Sequence, residues 1–101
     1  EYNNQIFSTQ YSASLNHLAL VLADLNDFNQ ARLYYLQAIK LVSKHIKKGS
    51  IYLLDDLVVY KNNLSLLYFK SKKFKKCMKE MEQTYELILG SKKKNKRSYF
   101  K

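Results

Sequence analysis

"NDFNQARLYYLQAIKL", residues 26–41, sets Ala31 and Ala38 seven positions apart among Phe28, Leu33, Tyr34, Tyr35 and Leu36. Seven residues make two helical turns, so both alanines fall on one stripe of a helix. The distance between packed helices is set by the side chains where they cross. Small residues on the stripe let a second backbone approach closely, and the large neighbours fill the flanks. The stretch therefore predicts a close antiparallel helix pair, with this segment as its second member.

The pattern continues on both sides. Apolar positions 7, 11, 15, 18, 19 and 22 recur at steps of three and four, the helical period, before "LND" at 25–27 interrupts them. Positions 28, 31, 35, 38, 39, 42 and 46 follow, and "KKGS" at 47–50 supplies a helix stop: Lys in the last turn, then Gly. A third run covers 53, 54, 57, 60, 64, 67 and 68, and a fourth covers 74, 77, 78, 81, 85, 88 and 89, ending at Gly90. Four helices are predicted, over about 5–25, 28–48, 52–71 and 74–89. The composition agrees. There is no Pro and only two Gly in 101 residues, too few turn formers for an all-β chain, and 47% apolar content supports one packed core.

The second helix pair repeats the first at an offset of 46 residues. Large apolar residues match at Phe7/Leu53, Tyr11/Leu57, Leu18/Leu64, Leu22/Tyr68, Phe28/Phe74, Tyr35/Met81 and Leu41/Leu87. Small residues match at Ala19/Ser65, Ala31/Cys77 and Ala38/Thr84. Size class is kept at every one of these positions, which points to two copies of one helix-turn-helix unit, about 5–48 and 52–89, within residues 1–90. Residues 91–101, "SKKKNKRSYFK", read as a basic tail or the start of a further element. The chain begins with Glu, which suits a piece of a longer protein.

These residues resemble the tetratricopeptide repeats. That family carries a large and a small residue in its first helix, then an aromatic after the turn, then two spaced alanines. Here that pattern reads Leu18-Ala19, Leu22, Asp27-Phe28, Ala31, Tyr35 and Ala38, with Ser43 where the family usually has Pro. The second unit is a looser match, with Leu64-Ser65, Tyr68, Lys73-Phe74, Cys77, Met81 and Thr84. The common unit has about 34 residues. The longer units of kinesin light chains are similar in having extended helices, and "SLNHLA" at 14–19 and "KNNLSLLY" at 61–68 are similar to their Asn-rich first helix. The resemblance implies an all-α solenoid that acts as a protein-interaction scaffold.

It also implies a binding face. In the family the first helix of each unit lines a concave groove, which holds a peptide or helix of a partner. Carried over, the groove positions are Asn16, His17, Leu20 and Asp24, then Asn62, Asn63, Leu66, Phe69 and Lys70. The side-chain chemistry suits the task. An Asn amide both donates and accepts, so it can bond a peptide backbone of any sequence. Leu20, Leu66 and Phe69 offer surface to apolar anchors. The carboxylate clamp of chaperone-binding members is incomplete here: Asn63 fits its Asn, but Asn16, Val59 and Asn62 stand at its Lys positions. Capping, bonding to a neighbouring helix and plain exposure are the other uses open to these asparagines.

Other classes find less support. His17 and His45 fall on different predicted helices, and no His/Cys/Asp cluster has ligand spacing, so neither a catalytic nor a metal site is expected. Two Gly cannot build a phosphate-cradling loop, and no cofactor is expected. Cys77 falls on the small-residue stripe, as a packing residue. One cysteine fits a reducing, cytoplasmic setting. No apolar run is long enough to span a bilayer.

The net charge of +10 is uneven: residues 1–50 carry five basic and three acidic side chains, residues 51–101 thirteen and five. "KSKKFKK" at 70–76 and "KKKNKR" at 92–97 therefore define the alternative reading, electrostatic binding to nucleic acid or another acidic surface. The partner expected first is a protein or peptide, an acidic one if this half takes part. Two units leave apolar edges uncovered, so self-association or further repeats in a longer parent are also expected.

Overall fold

The computed structural model describes the backbone of residues 2–99 and the side chains of residues 5–90. It contains four α-helices in chain order: α1 (Tyr2–Asp24), α2 (Phe28–Lys47), α3 (Leu54–Lys70) and α4 (Phe74–Tyr99), with a single 3-10 turn, Ile51–Leu53, before α3. Successive helices pack side by side: α1 on α2, α2 on α3, α3 on α4, with only a light touch between α1 and α3. This is the all-α, helical-repeat arrangement that the 46-residue pattern predicts.

The corners show why the helices stop where they do. At each one the chain turns through a residue with positive φ: Asn26 at 64°, Gly49 at 108° and Lys72 at 64°. Each corner also makes the same two backbone bonds. The residue with positive φ donates three residues back: Asn26 to Ala23, Gly49 to Ile46, Lys72 to Phe69. The next residue donates five back: Asp27 to Leu22, Ser50 to His45, Lys73 to Tyr68. These bonds satisfy the carbonyls that a helix end leaves open. Asp27 then caps α2, its carboxylate accepting from the Gln30 backbone N–H at 3.4 Å.

The helix bounds agree with those expected to within a few residues, except at one end. α4 runs through Gly90 to Tyr99 rather than ending near residue 89. A glycine ends a helix by taking the left-handed conformation, and Gly49 alone among the described glycines has positive φ. Gly90 stays helical. The side chains of 91–99 and the residues 100–101 lie outside those described, and so does the surface of the basic tail.

The alanine seam is the centre of the core. Ala19, Ala31 and Ala38 have no exposed surface at all, and Tyr35 and Val42, on α2, are each 1% exposed. Ala19, Ala23, Ala31 and Tyr35 cluster with Leu64, Leu67, Tyr68 and Cys77. Leu15, Ala38 and Val42 cluster with Leu57 and Tyr60. Cys77 is buried, as the stripe predicts. Polar residues that take small seam positions bond within their own helix. The hydroxyls of Ser12, Ser65 and Thr84 donate to the carbonyls of Ser8, Lys61 and Glu80 at 2.8, 3.0 and 2.8 Å.

Several large residues at matching repeat positions differ in burial. Phe7 is 68% exposed, whereas its counterpart Leu53 is 1% exposed; Tyr35 is 1% exposed, whereas Met81 is 57% exposed. The cause is neighbourhood. α2 covers the outer face of α3, and α3 covers the outer face of α2, but among the described residues no helix lies beyond α1 or beyond α4. Both ends of the stack therefore present apolar side chains to solvent.

Candidate binding face

The nine carried-over residues stand on α1 and α3. Asn16 is 6% exposed, and its side-chain carbonyl accepts a hydrogen bond from the Asn63 amide at 2.9 Å. This pair ties α1 to α3 where their backbones only touch. A buried amide without a partner would cost about 1–3 kcal/mol, so the bond matters to the spacing of the two helices. Asn62, one residue before Asn63, is exposed.

Two recesses flank this pair. The first lies between α1 and α3, lined by Leu20, Asp24, Asn63, Leu66 and Lys70, with Tyr35 beneath. It has only about 20 Å³ of open space, room for roughly one water. A ligand there would lie across it rather than inside it. At its rim the Lys70 ammonium stands 4.0 Å from the Asp24 carboxylate, both exposed, a weak pairing in open water. The second recess, about 330 Å³, lies between α3 and α4 and is lined by Asn62, Asn63, Leu66, Phe69, Cys77 and Met81. Asn63 and Leu66 line both, so the two recesses form one continuous surface. His17 is exposed but lines neither.

Tyr35 forms the floor of the first recess. Burial pushes its phenol up to about 12, and the Asp24 carboxylate pushes it the same way. The group is neutral at any physiological pH, so the recess has a neutral floor under two opposite charges.

Sequence reasoning did not place Met81 on this surface. Its repeat counterpart is the buried Tyr35, and the size match suggested the same fate. The signal was present in the order of the helices: α4 is the last described helix, so among the described residues no further helix covers position 81. Sequence reasoning also missed the Lys61 ammonium, which joins α3 to α4 through the Glu80 carboxylate at 3.0 Å and the Gln83 side chain at 3.2 Å. Among the described residues no group of three His, Cys, Asp or Glu side chains is placed to hold a metal ion. No described helix is long and apolar enough to cross a membrane.

The packed pair α1–α2, closed by an alanine seam and an Asp-capped turn, is also what a family comparison finds. The model for the tetratricopeptide repeat matches residues 12–45. Those residues form a tetratricopeptide repeat. The match takes in the C-terminal part of α1, the turn at Asn26 and nearly all of α2. No curated protein and no solved structure matches the chain. Tetratricopeptide repeats are in general protein-interaction modules, and their usual role is non-enzymatic.

Proposed function

We propose that the chain is a two-repeat interaction scaffold, with α3–α4 as the second tetratricopeptide-like unit, and that it binds an extended peptide or a helix of a partner protein across the α1–α3 face. One observation carries this reading: Leu20, Leu66 and Phe69 are large, apolar and exposed on a continuous surface that also holds Asn62, Asp24 and Lys70. Apolar anchors surrounded by a few polar groups are the usual makeup of a peptide site. Asn62 is the amide available to a partner backbone. Asn16 and Asn63 set the spacing of the helices on which the groove depends.

A displayed library of random peptides selected on the folded chain tests this. The expected result is a consensus with at least one apolar anchor. Leu66→Asp, which sets a charge against an apolar anchor, and Asn62→Ala, which leaves a partner hydrogen bond unmet at about 1–3 kcal/mol, should each weaken the selected peptide at least several-fold, with circular dichroism unchanged. Asn63→Ala should instead lower the melting temperature. Electrostatic binding through the lysines predicts the reverse: binding that falls steeply with salt, is lost on truncation after Gly90, and is indifferent to Asn62 and Leu66. That outcome would remove the groove from the account.

A further inference from the structure

One face of α4, beside the α3–α4 recess, carries an apolar stripe that no further helix covers among the described residues. Phe74, Met78, Met81, Tyr85 and Ile88 are spaced by four, three, four and three residues, and they are 53, 63, 57, 63 and 37% exposed. This is the spacing of a helix-pairing seam. Phe69 continues it, meeting Phe74 edge-on at 5.7 Å between ring centres. One border of the stripe is charged, and its charges change sign along the helix: Lys75 and Lys79 beside the first half, Glu82 and Glu86 beside the second, all exposed. A helix that is positive then negative along one border complements itself when reversed.

We infer that two copies of this chain associate through α4, antiparallel and about a two-fold axis. Place Met78 of one copy opposite Met81 of the other. The seam then forms four layers: Phe74 on Tyr85, Met78 on Met81, and the same two again by symmetry. In that register Lys75 falls between Glu82 and Glu86 of the second copy, about 3 Å along the axis from each at 1.5 Å per residue. Lys79 falls near the same Glu82. Each copy gives and receives this pairing, as an isologous contact requires. Seven exposed apolar side chains, Leu66 and Phe69 included, would bury on the order of 700 Å² per chain, near the ~800 Å² per partner of a stable standard interface.

The charges also select among occupants. Two chains of +10 repel overall, so a self-contact needs local complementarity of this kind. The apolar face of α1 at the opposite end is no match for this border: its one charged residue within Tyr2–Asp24 is Asp24 itself. A head-to-tail contact of α4 on α1 would leave Lys75, Glu82 and Glu86 without mates, and would propagate as an open chain rather than close.

Sedimentation equilibrium of the full chain over a concentration series is the test. The expected species is a dimer, twice the 12.0 kDa chain mass. Lys75→Glu sets carboxylate against carboxylate twice in each dimer, and Glu82→Lys sets ammonium against ammonium. Each variant alone should be a monomer with unchanged helix content, and an equimolar mixture of the two should regain the dimer mass. A second copy would cover Leu66, Phe69 and Met81, part of the surface proposed to hold a peptide, so dimer and peptide compete for it; none of the four charged residues lines that surface, so the charge variants report on the dimer alone. A monomeric wild-type chain at every concentration overturns it, as does a dimer that survives in either variant alone, or a mass that keeps growing beyond two.

Discussion

Ala31 is the residue on which the packing argument is easiest to break. It has no exposed surface and sits in one core cluster with Ala19 and Ala23 of α1. Leucine there has no space to enter, so Ala31→Leu should cost roughly 1–3 kcal/mol by forcing the helices apart. Gln30→Leu, one residue earlier on the exposed side, should cost little. The measurement is the urea midpoint of each variant; equal midpoints would refute the seam. The small residues were legible because the same size class recurs 46 positions on, and all three small pairs are buried in both units. The asparagines were only half legible. Asn16 and Asn62 are the identical pair in sequence, yet the bond forms between Asn16 and Asn63. An offset fixes which residues are equivalent, but the angle between two helices decides which of them touch, and no residue spacing encodes that angle.

At the scale of elements, the three corners divide by how far their chemistry could be read in advance. Gly49 and Asn26 are residue types that accept the left-handed conformation, and both marked their turns in the sequence. Lys72 takes the same φ of 64° and makes the same bonds as Asn26, 46 residues earlier. Nothing about a lysine announces that. A residue that carries a Cβ is strained by about 1–2 kcal/mol in that conformation. Lys72→Gly should therefore stabilise the chain by about 0.5–1 kcal/mol, visible as a higher melting temperature, even though glycine loses more freedom on folding. A lower melting temperature would mean that the lysine contributes more to this corner than its strain removes. The converse misreading was Gly90, which carries the stop residue without the stop geometry. Helix ends are decided by whether the backbone leaves the helical conformation, and glycine permits that without requiring it.

For the molecule as a whole, burial follows the order of the stack more than the identity of residues. The inner helices α2 and α3 are covered on both sides, and they carry the three tyrosines whose phenols burial pushes upward: Tyr35, Tyr60 and Tyr68. Nearby carboxylates push the same way, Asp24 for Tyr35, Asp56 for Tyr60 and Glu80 for Tyr68, the last partly offset by Arg32. These phenols hold their protons more tightly in the folded chain than in the unfolded one. Below the ordinary phenol value of 10.0 both states keep the proton and stability is untouched. Above it the unfolded chain ionises first, so stability is lost as pH rises from there through about 12, the value for Tyr35. For Tyr35 the rise from 10.0 to about 12 corresponds to roughly 2–3 kcal/mol across that window. Lysines lose charge in the same range, which relieves the self-repulsion of a +10 chain and works the other way. The two effects separate by mutation. Tyr35→Phe removes the phenol and leaves every lysine in place. Its urea midpoint should fall less than that of the wild type between about pH 8 and pH 11. Parallel curves for the two proteins would mean that the buried phenol of Tyr35 does not govern the alkaline limit.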